Sequence, residues 1–474
     1  KRGHRLEHDL EGTLNIYEKS KENIGYELKS PITRYTECER MPEYWDPEIE
    51  TMPIDDLKKL QEEKLKQLVH YVYERSPFYR KRFDEHGVKP EDIQTLDDIR
   101  KLPFTVKQDL RDTYPTGMFC VPNTELVRFH ASSGTTGKPT VVGYTQHDIE
   151  EWAESLARGF TSVGLGENDI LQVSYGYGLF TGGLGAHYGS EKLGATVLPT
   201  SSGNTERQLE LMRDLDVTAI ACTPSYFLYM IETAKKLNID LRSDTKLRMG
   251  FFGAEPWSEE LKRRIESESG IKAYDIYGTS EMSGPLFTEC SEQCGVHIWA
   301  DKFLIEILDP ETGQPVPDGE TGELVITTLT KEAMPLIRYR VRDLTRKFSE
   351  PCPCGRTHPR IARISGRSDD MIIVRGINVF PGQVESVLMK IPEVGNHFMI
   401  IVDRIGPLDS MKVQIEMHES AFSDKMSDMM ELKGKISSAL KNVLNLAVEV
   451  ELVEHGSLPR SEGKSKKVID KRKI

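Results

Sequence analysis

Between about Leu126 and Thr345 short apolar runs alternate with amphipathic stretches of helical length, and this alternation constrains the fold more than any other feature of the chain. Residues 170–174, 195–198 and 217–221 read as strands, and 208–215, 226–237 and 258–267 as the helices between them. A strand followed by a helix returns to the next strand in parallel, so the pattern predicts α/β layering with a substantially parallel sheet. Phe303–Leu308 and Gly322–Thr328 lie on either side of turn chemistry at Asp309-Pro310 and Asp318-Gly319. That arrangement predicts an antiparallel β portion after the parallel one.

A chain of 474 residues exceeds what one hydrophobic core usually supports. Leu57, Leu60, Leu65, Leu68 and Val69 recur at helical spacing from Pro53 to the Ser76-Pro77 break, and 97–103 reads as a short capped helix ending at a proline. After Gly366 the pattern changes to a strand at 371–374, a helix from Pro381, a strand around 398–402, a helix at 431–444 and a strand at 447–452. The expected division is a charge-dense extension over 1–44, a large multi-layered domain over 45–367 and a small mobile α+β domain over 368–474. The large domain would combine mixed sheets, helices and the β portion.

Apolar residues at 38% and charged residues at 29% are ordinary for a globular protein, and no run reaches the roughly 18 apolar residues of a membrane span. Nothing near Lys1 resembles a signal peptide. A net charge of −13 argues against nucleic acid held by bulk electrostatics, so any anion must be met by locally gathered cations and a metal ion. Seven cysteines in so long a chain do not form a disulfide scaffold and point to a reducing, cytoplasmic setting, while the lack of a long apolar run implies no membrane partner.

The strongest local motif is Ser132-Ser-Gly-Thr-Thr-Gly-Lys-Pro-Thr140. Gly134 and Gly137 let backbone amides approach a phosphate, Ser133, Thr135 and Thr136 add hydroxyls, and Lys138 adds charge. It is not a Walker loop, because two residues rather than four separate the glycines. The loop resembles the phosphate-binding signature of the adenylate-forming superfamily, and five further motifs follow in that family's order. Phe252-Gly253-Ala254-Glu255-Pro256 resembles its adenine-side segment, and Asp275-Ile276-Tyr277-Gly278-Thr279-Ser-Glu281 its strand-and-turn. Arg338-Tyr-Arg-Val-Arg-Asp343, Gly366-Arg367-Ser-Asp369-Asp370 and Leu458-Pro-Arg-Ser-Glu-Gly-Lys464 complete the series.

The resemblance implies that Thr279 meets the α-phosphate, Glu281 binds Mg2+, Asp343 holds the ribose hydroxyls, Arg367 lies near the nucleotide, Asp369 is the hinge and Lys464 is the catalytic lysine. The chemistry asks for these types. A carboxylate attacking the α-phosphate of ATP builds negative charge on phosphorus, which calls for a dication held by hard oxygen and a compact point charge. Adenylation needs Lys464 in the site, whereas thioester formation needs a thiol at the same carbonyl, so the family rotates its small domain at the hinge. Arg375 and Gly376 would then face the channel for coenzyme A.

From about Trp45 onward the chain resembles the phenylacetate–CoA ligase branch, through Trp45-Asp-Pro-Glu-Ile-Glu-Thr-Met-Pro53, Tyr175-Gly-Tyr177-Gly-Leu-Phe180-Thr-Gly182-Gly183 and Asn378-Val-Phe-Pro381. That branch implies an arylacetate, with Tyr144, Tyr175, Tyr177, Phe180 and Gly182 as candidate walls of the acid pocket. The alternative is a nucleotidyltransferase that adenylylates a deazaflavin hydroxyl without CoA. Cys290, Cys294 and His297, with Cys352, Cys354 and His358, are grouped as a structural Zn2+ site requires. The leading set is Cys290, His297, Cys352 and Cys354, with Cys294 or His358 as substitutes. Relatives of this branch are commonly dimers, so a homodimer is compatible with the chain, although no heptad or apolar stripe specifies one.

Overall fold

The structure is a computed structural model that describes residues 44–132, 139–369, 372–375, 377–405, 408–418, 426–460 and 467–472. Residues 1–43 of the extension, the glycine-rich segment 133–138, Gly376 and Lys464 lie outside the described residues.

An eight-stranded sheet organises the large domain, in the order Arg360–Ile361, Val296–His297, Phe287–Glu289, Lys272–Tyr277, Met249–Phe252, Ala219–Cys222, Ile170–Val173 and Thr196–Leu198. The five strands from Lys272–Tyr277 to Thr196–Leu198 pair in parallel, and the other three add on antiparallel. Helices Thr205–Asp214, Pro224–Lys236 and Glu259–Ser269 stand close to where the sequence pattern expected helices. Successive side chains of a strand face opposite ways, and both faces here are covered. Ala219 and Ala221 therefore enter one core with Trp152 and Phe251, while Ile220 and Cys222 enter another with Phe227 and Phe252.

The antiparallel portion is a four-stranded sheet of Phe303–Leu308, Gly322–Thr328, Tyr339–Thr345 and Gly366–Arg367. Helix Ile54–Arg75 packs Leu65, Leu68, Val69 and Val72 into the first core, and Gln61 donates to the Phe303 carbonyl at 3.2 Å. The segment 97–103 forms a 3-10 turn, Leu96–Lys101, rather than an α-helix, with Asp98 accepting from the Thr95 amide at 2.8 Å.

The small domain has its own core, in which Val413, Ile415, Ile400 and Val402 of the sheet meet Val384, Leu388, Ile436 and Leu440 of helices Pro381–Leu388 and Met426–Leu444. Its sheet runs Glu449–Val453, Leu408–Met417, Val394–Ile405 and Val468–Asp470. Sequence reading did not anticipate the strand Leu408–Met417, although Met411, Val413, Ile415 and Met417 alternate as a half-buried strand should. Among the described residues no helix is long and apolar enough to cross a membrane.

Candidate functional site

At the carboxyl ends of Met249–Phe252 and Lys272–Tyr277 a cavity of about 250 Å³ opens between the two sheets. Ligand clefts of open α/β sheets form at such strand ends. Gly253, Ala254, Glu255 and Pro256 leave the first strand, and Asp275, Ile276, Tyr277, Gly278 and Thr279 close the second. The glycines are needed sterically. A Cβ on Gly253 would stand 2.2 Å from the Ile276 carbonyl oxygen, and one on Gly278 would stand 2.6 Å from Gly284 Cα.

The turn after Thr279 presents Glu281, a buried carboxylate, to the cavity. Lys107 Nζ lies 3.3 Å from Glu281 Oε1. The Oγ atoms of Thr279 and Ser132 are buried on the cavity wall without a hydrogen-bond partner among the described residues. Buried hydroxyls are seldom left so, and these two suit the oxygens of a phosphate.

Opposite them, Asp343 is buried, with Tyr277 donating to its Oδ2 at 2.7 Å and Arg367 Nη1 to its Oδ1 at 3.0 Å. Arg367 also pairs with Asp369 at 2.9 Å, so the two aspartates share one guanidinium. Burial, and then the Asp343 carboxylate, push the Tyr277 phenol far above its usual range and keep it a donor. Asp275 is raised to about 6 by burial, against the opposing charge of Arg363. Trp257 Nε1 donates to Asp275 Oδ1 at 3.0 Å.

Of the five candidate pocket residues, Tyr175, Phe180 and Gly182 line the cavity. Tyr144 and Tyr177 are not among its lining residues. Tyr144 is fully buried beneath the turn that carries Glu281. Its hydroxyl donates to the Ser280 carbonyl at 3.3 Å, and Lys331 Nζ lies 4.1 Å from its ring centre while donating to Ser283 Oγ at 2.7 Å. Tyr177 instead lies 3.2 Å from His187 Nδ1. Arg375 is exposed on the small domain and donates to the Asp409 carbonyl at 2.7 Å. Lys107, Trp257 and Arg363 line the cavity without having been anticipated. Lys107 carries no local signal, being a lone lysine at a helix start that only tertiary folding brings to Glu281.

The second constellation lies at the antiparallel edge of the large sheet. One ligand atom from each of Cys290, His297, Cys352 and Cys354 falls within 4.8 Å of the others. Cys290 and Cys352 sulfurs are 3.6 Å apart, and Cys354 Sγ is 3.5 Å from His297 Nε2. Hydrogen bonding from Cys290, then Cys352, drives Cys354 strongly toward the thiolate. Cys294 Sγ lies 3.6 Å from Cys352 Sγ and accepts from Arg360 at 2.8 Å. His358 is turned away: its Nδ1 accepts from the Ala300 amide at 2.9 Å, and its Nε2 lies 3.0 Å from the Ile49 carbonyl. The cysteine loop also holds the start of the large domain, through a buried Arg356–Glu50 pair at 2.6 Å and a bond from Tyr44 to the Cys354 carbonyl at 2.8 Å.

This fold, a large α/β domain with a cleft at its strand ends followed by a small domain, is that of a nucleotide-binding enzyme. The family model described as AMP-binding enzyme matches residues 50–330, and that described as AMP-binding enzyme C-terminal domain matches 376–472. The chain belongs to the AMP-binding enzyme family, among its phenylacetate–coenzyme A ligases. It is 48% identical to the phenylacetate-coenzyme A ligase of Thermus thermophilus, over 90% of this chain and 100% of that one. The enzyme of the same name from Escherichia coli K12 is 49% identical over 90% of this chain and 97% of its own length. Among solved structures, 2-hydroxyisobutyryl-CoA ligase in the postadenylation state is 30% identical with a TM-score of 0.86, covering 95% of each chain. The same enzyme in the thioesterification state, with CoA, gives 0.67 over 90% of this chain and 92% of that one.

Proposed function

We propose that this ligase joins an arylacetic acid of the phenylacetate type to coenzyme A through an acyl-adenylate. The observation that carries the reading is the convergence, in one cavity, of unpartnered buried hydroxyls, a buried carboxylate and aromatic walls. The names of the relatives support the acid, and among them the deazaflavin alternative finds no support.

In this reading the adenine rests against 253–256 and the strand end 275–278, while Asp343, oriented by Tyr277 and Arg367, accepts from the ribose hydroxyls. Thr279 Oγ1 donates to the α-phosphate, and the phosphate-binding role of 133–138, which lie outside the described residues, rests on their resemblance to the family's signature. Glu281 supplies the oxygen ligand for Mg2+, which when bound draws charge from the phosphates. Lys107 stands where it can pass from Glu281 to the departing pyrophosphate. The acid lies against Tyr175 and Phe180, its carboxylate attacks the α-phosphorus and pyrophosphate leaves. Lys464 is the cation for that step. The CoA thiolate then attacks the carbonyl and releases AMP.

A pivot at Asp369, with the large domain over 45–367 and the small one over 368–474, fits the Asp369–Arg367–Asp343 chain of ion pairs. The higher TM-score against the postadenylation state than against the thioesterification state supports an adenylation-side arrangement here. Arg375 and Gly376 belong to the CoA side after rotation.

Cys290, His297, Cys352 and Cys354 fit Zn2+ as a closed structural site, since three sulfurs and a nitrogen within 4.8 Å suit a tetrahedral ion. Six free cysteines among the described residues fit a reducing, cytoplasmic setting. Incubation with ATP, Mg2+, CoA and phenylacetate tests the function. One phenylacetyl-CoA and one AMP should form for each ATP consumed, and ADP or the absence of thioester would overturn the reading.

A further inference from the structure

Among the described residues a few polar groups bridge the interface between the domains, and one of them pairs with Arg460, four residues before Lys464. Glu232, on helix Pro224–Lys236 of the large domain, has partners on the small domain at three positions. Its carboxylate is 3.4 Å from Arg460 Nη2, 3.4 Å from His397 Nε2 and 3.3 Å from Asn396 Nδ2. Burial alone would raise this carboxyl. The His397 imidazole beside it, then the charge of Arg460, outweigh burial and hold the group at about 2.

Arg460 is itself fixed. It forks onto Glu416 at 2.7 and 2.8 Å, and this wholly buried carboxylate also accepts from the Leu458 amide at 2.6 Å and the Gly456 amide at 3.2 Å. A bidentate guanidinium–carboxylate pair is geometrically stiff. Residues 456–460 therefore move with the small domain as one piece, and Glu232 ties that piece to the large domain four residues before Lys464. Other contacts across the interface lie farther from that segment along the chain: Lys390 and Ser386 with Glu260 at 3.1 and 3.0 Å, and Arg264 with the Val394 carbonyl at 3.1 Å.

We propose that Glu232 is a positioning residue, a latch that holds the small domain in its adenylation arrangement through Arg460, His397 and Asn396. This rests on the reading of Lys464 as the adenylation lysine. Rotation toward thioester formation must break these contacts, so the latch sets the balance between the two arrangements and touches no reacting atom. A rigid-body switch of this kind is biased by whatever one arrangement holds and the other lacks.

The test measures the two half-reactions separately in Glu232→Gln. Phenylacetate-dependent exchange of pyrophosphate into ATP reports adenylation, and CoA ester formation from synthetic phenylacetyl-AMP reports the second step. Exchange should fall by about tenfold or more, the usual scale for removing one partner of a desolvated charge cluster. Thioester formation should stay within about twofold of the parent or rise, since the second arrangement does not use the latch. Equal loss in both steps, or unchanged exchange, would overturn the proposal. Should Glu232→Gln fail to fold, His397→Gln must show the same split to a smaller degree, and its absence is equally fatal. Lys464→Ala, run alongside, keeps the two ideas apart. If it does not split the half-reactions the lysine assignment falls, whereas a split there but none in Glu232→Gln removes the latch alone.

Discussion

Lys107 Nζ stands 3.3 Å from Glu281 Oε1, so a cation paired with the proposed magnesium ligand comes from a helix far upstream of it in sequence. The pair implies competition, because Mg2+ must share or displace the ammonium. Glu281→Gln should lower kcat/KM for ATP about a hundredfold or more, as loss of a charge-stabilising group typically does, and should raise the Mg2+ needed for half-maximal rate. Lys107→Met should weaken ATP use about tenfold, the scale of one charge-assisted contact, yet lower the Mg2+ requirement. Initial rates over a Mg2+ series check both, and a higher Mg2+ requirement in Lys107→Met would remove the competition.

Metal analysis addresses the cysteine cluster. The four ligand atoms within 4.8 Å predict about one zinc per chain, and a chelator strong enough to remove it should lower the unfolding midpoint. Cys352→Ser should lose the ion, while His358→Gln should retain it, because His358 is engaged by the backbone of residues 49 and 300. Metal-free protein of undiminished stability would contradict the assignment.

Lys331 makes a prediction about alkaline pH. Burial pushes its ammonium from 10.5 down to about 8, with Asp148 opposing. Between those values the unfolded chain holds the proton and the native one does not, so this group's contribution to stability improves as pH rises from 8 to 10.5. Denaturant midpoints of the parent and Lys331→Met, compared across that range, should shift in the parent's favour by at most about 3 kcal/mol. A difference independent of pH would show that Lys331 is already neutral, or wholly charged, throughout.

Much of the fold and part of the site are legible in the sequence. The parallel strands and their helices announce themselves by period, because a sheet covered on both faces must be apolar along its strands. Part of the cavity lining comes as contiguous motifs, Gly253 to Pro256 and Asp275 to Glu281, which the resemblance to the family's motifs picks out. Groups assembled through tertiary contact could not: Lys107 reaches Glu281, and Arg460 reaches Glu232, across long stretches of chain. Tyr144 shows the reverse error. It is a candidate pocket wall by sequence, but its position under the Ser280 carbonyl and against Lys331 makes it a support of the turn instead. The strand Leu408–Met417 was readable from its alternation and was passed over.

The central claim is that a carboxylate oxygen of the acid attacks the α-phosphorus and stays there when CoA takes the acyl group. Phenylacetate labelled with oxygen-18 in both carboxylate positions, turned over with ATP and CoA, tests it in one mass spectrum. AMP should carry one labelled oxygen, with unlabelled pyrophosphate and a thioester retaining one label. Unlabelled AMP beside labelled phosphate or pyrophosphate would mean attack at another phosphorus, and the acyl-adenylate account would fall.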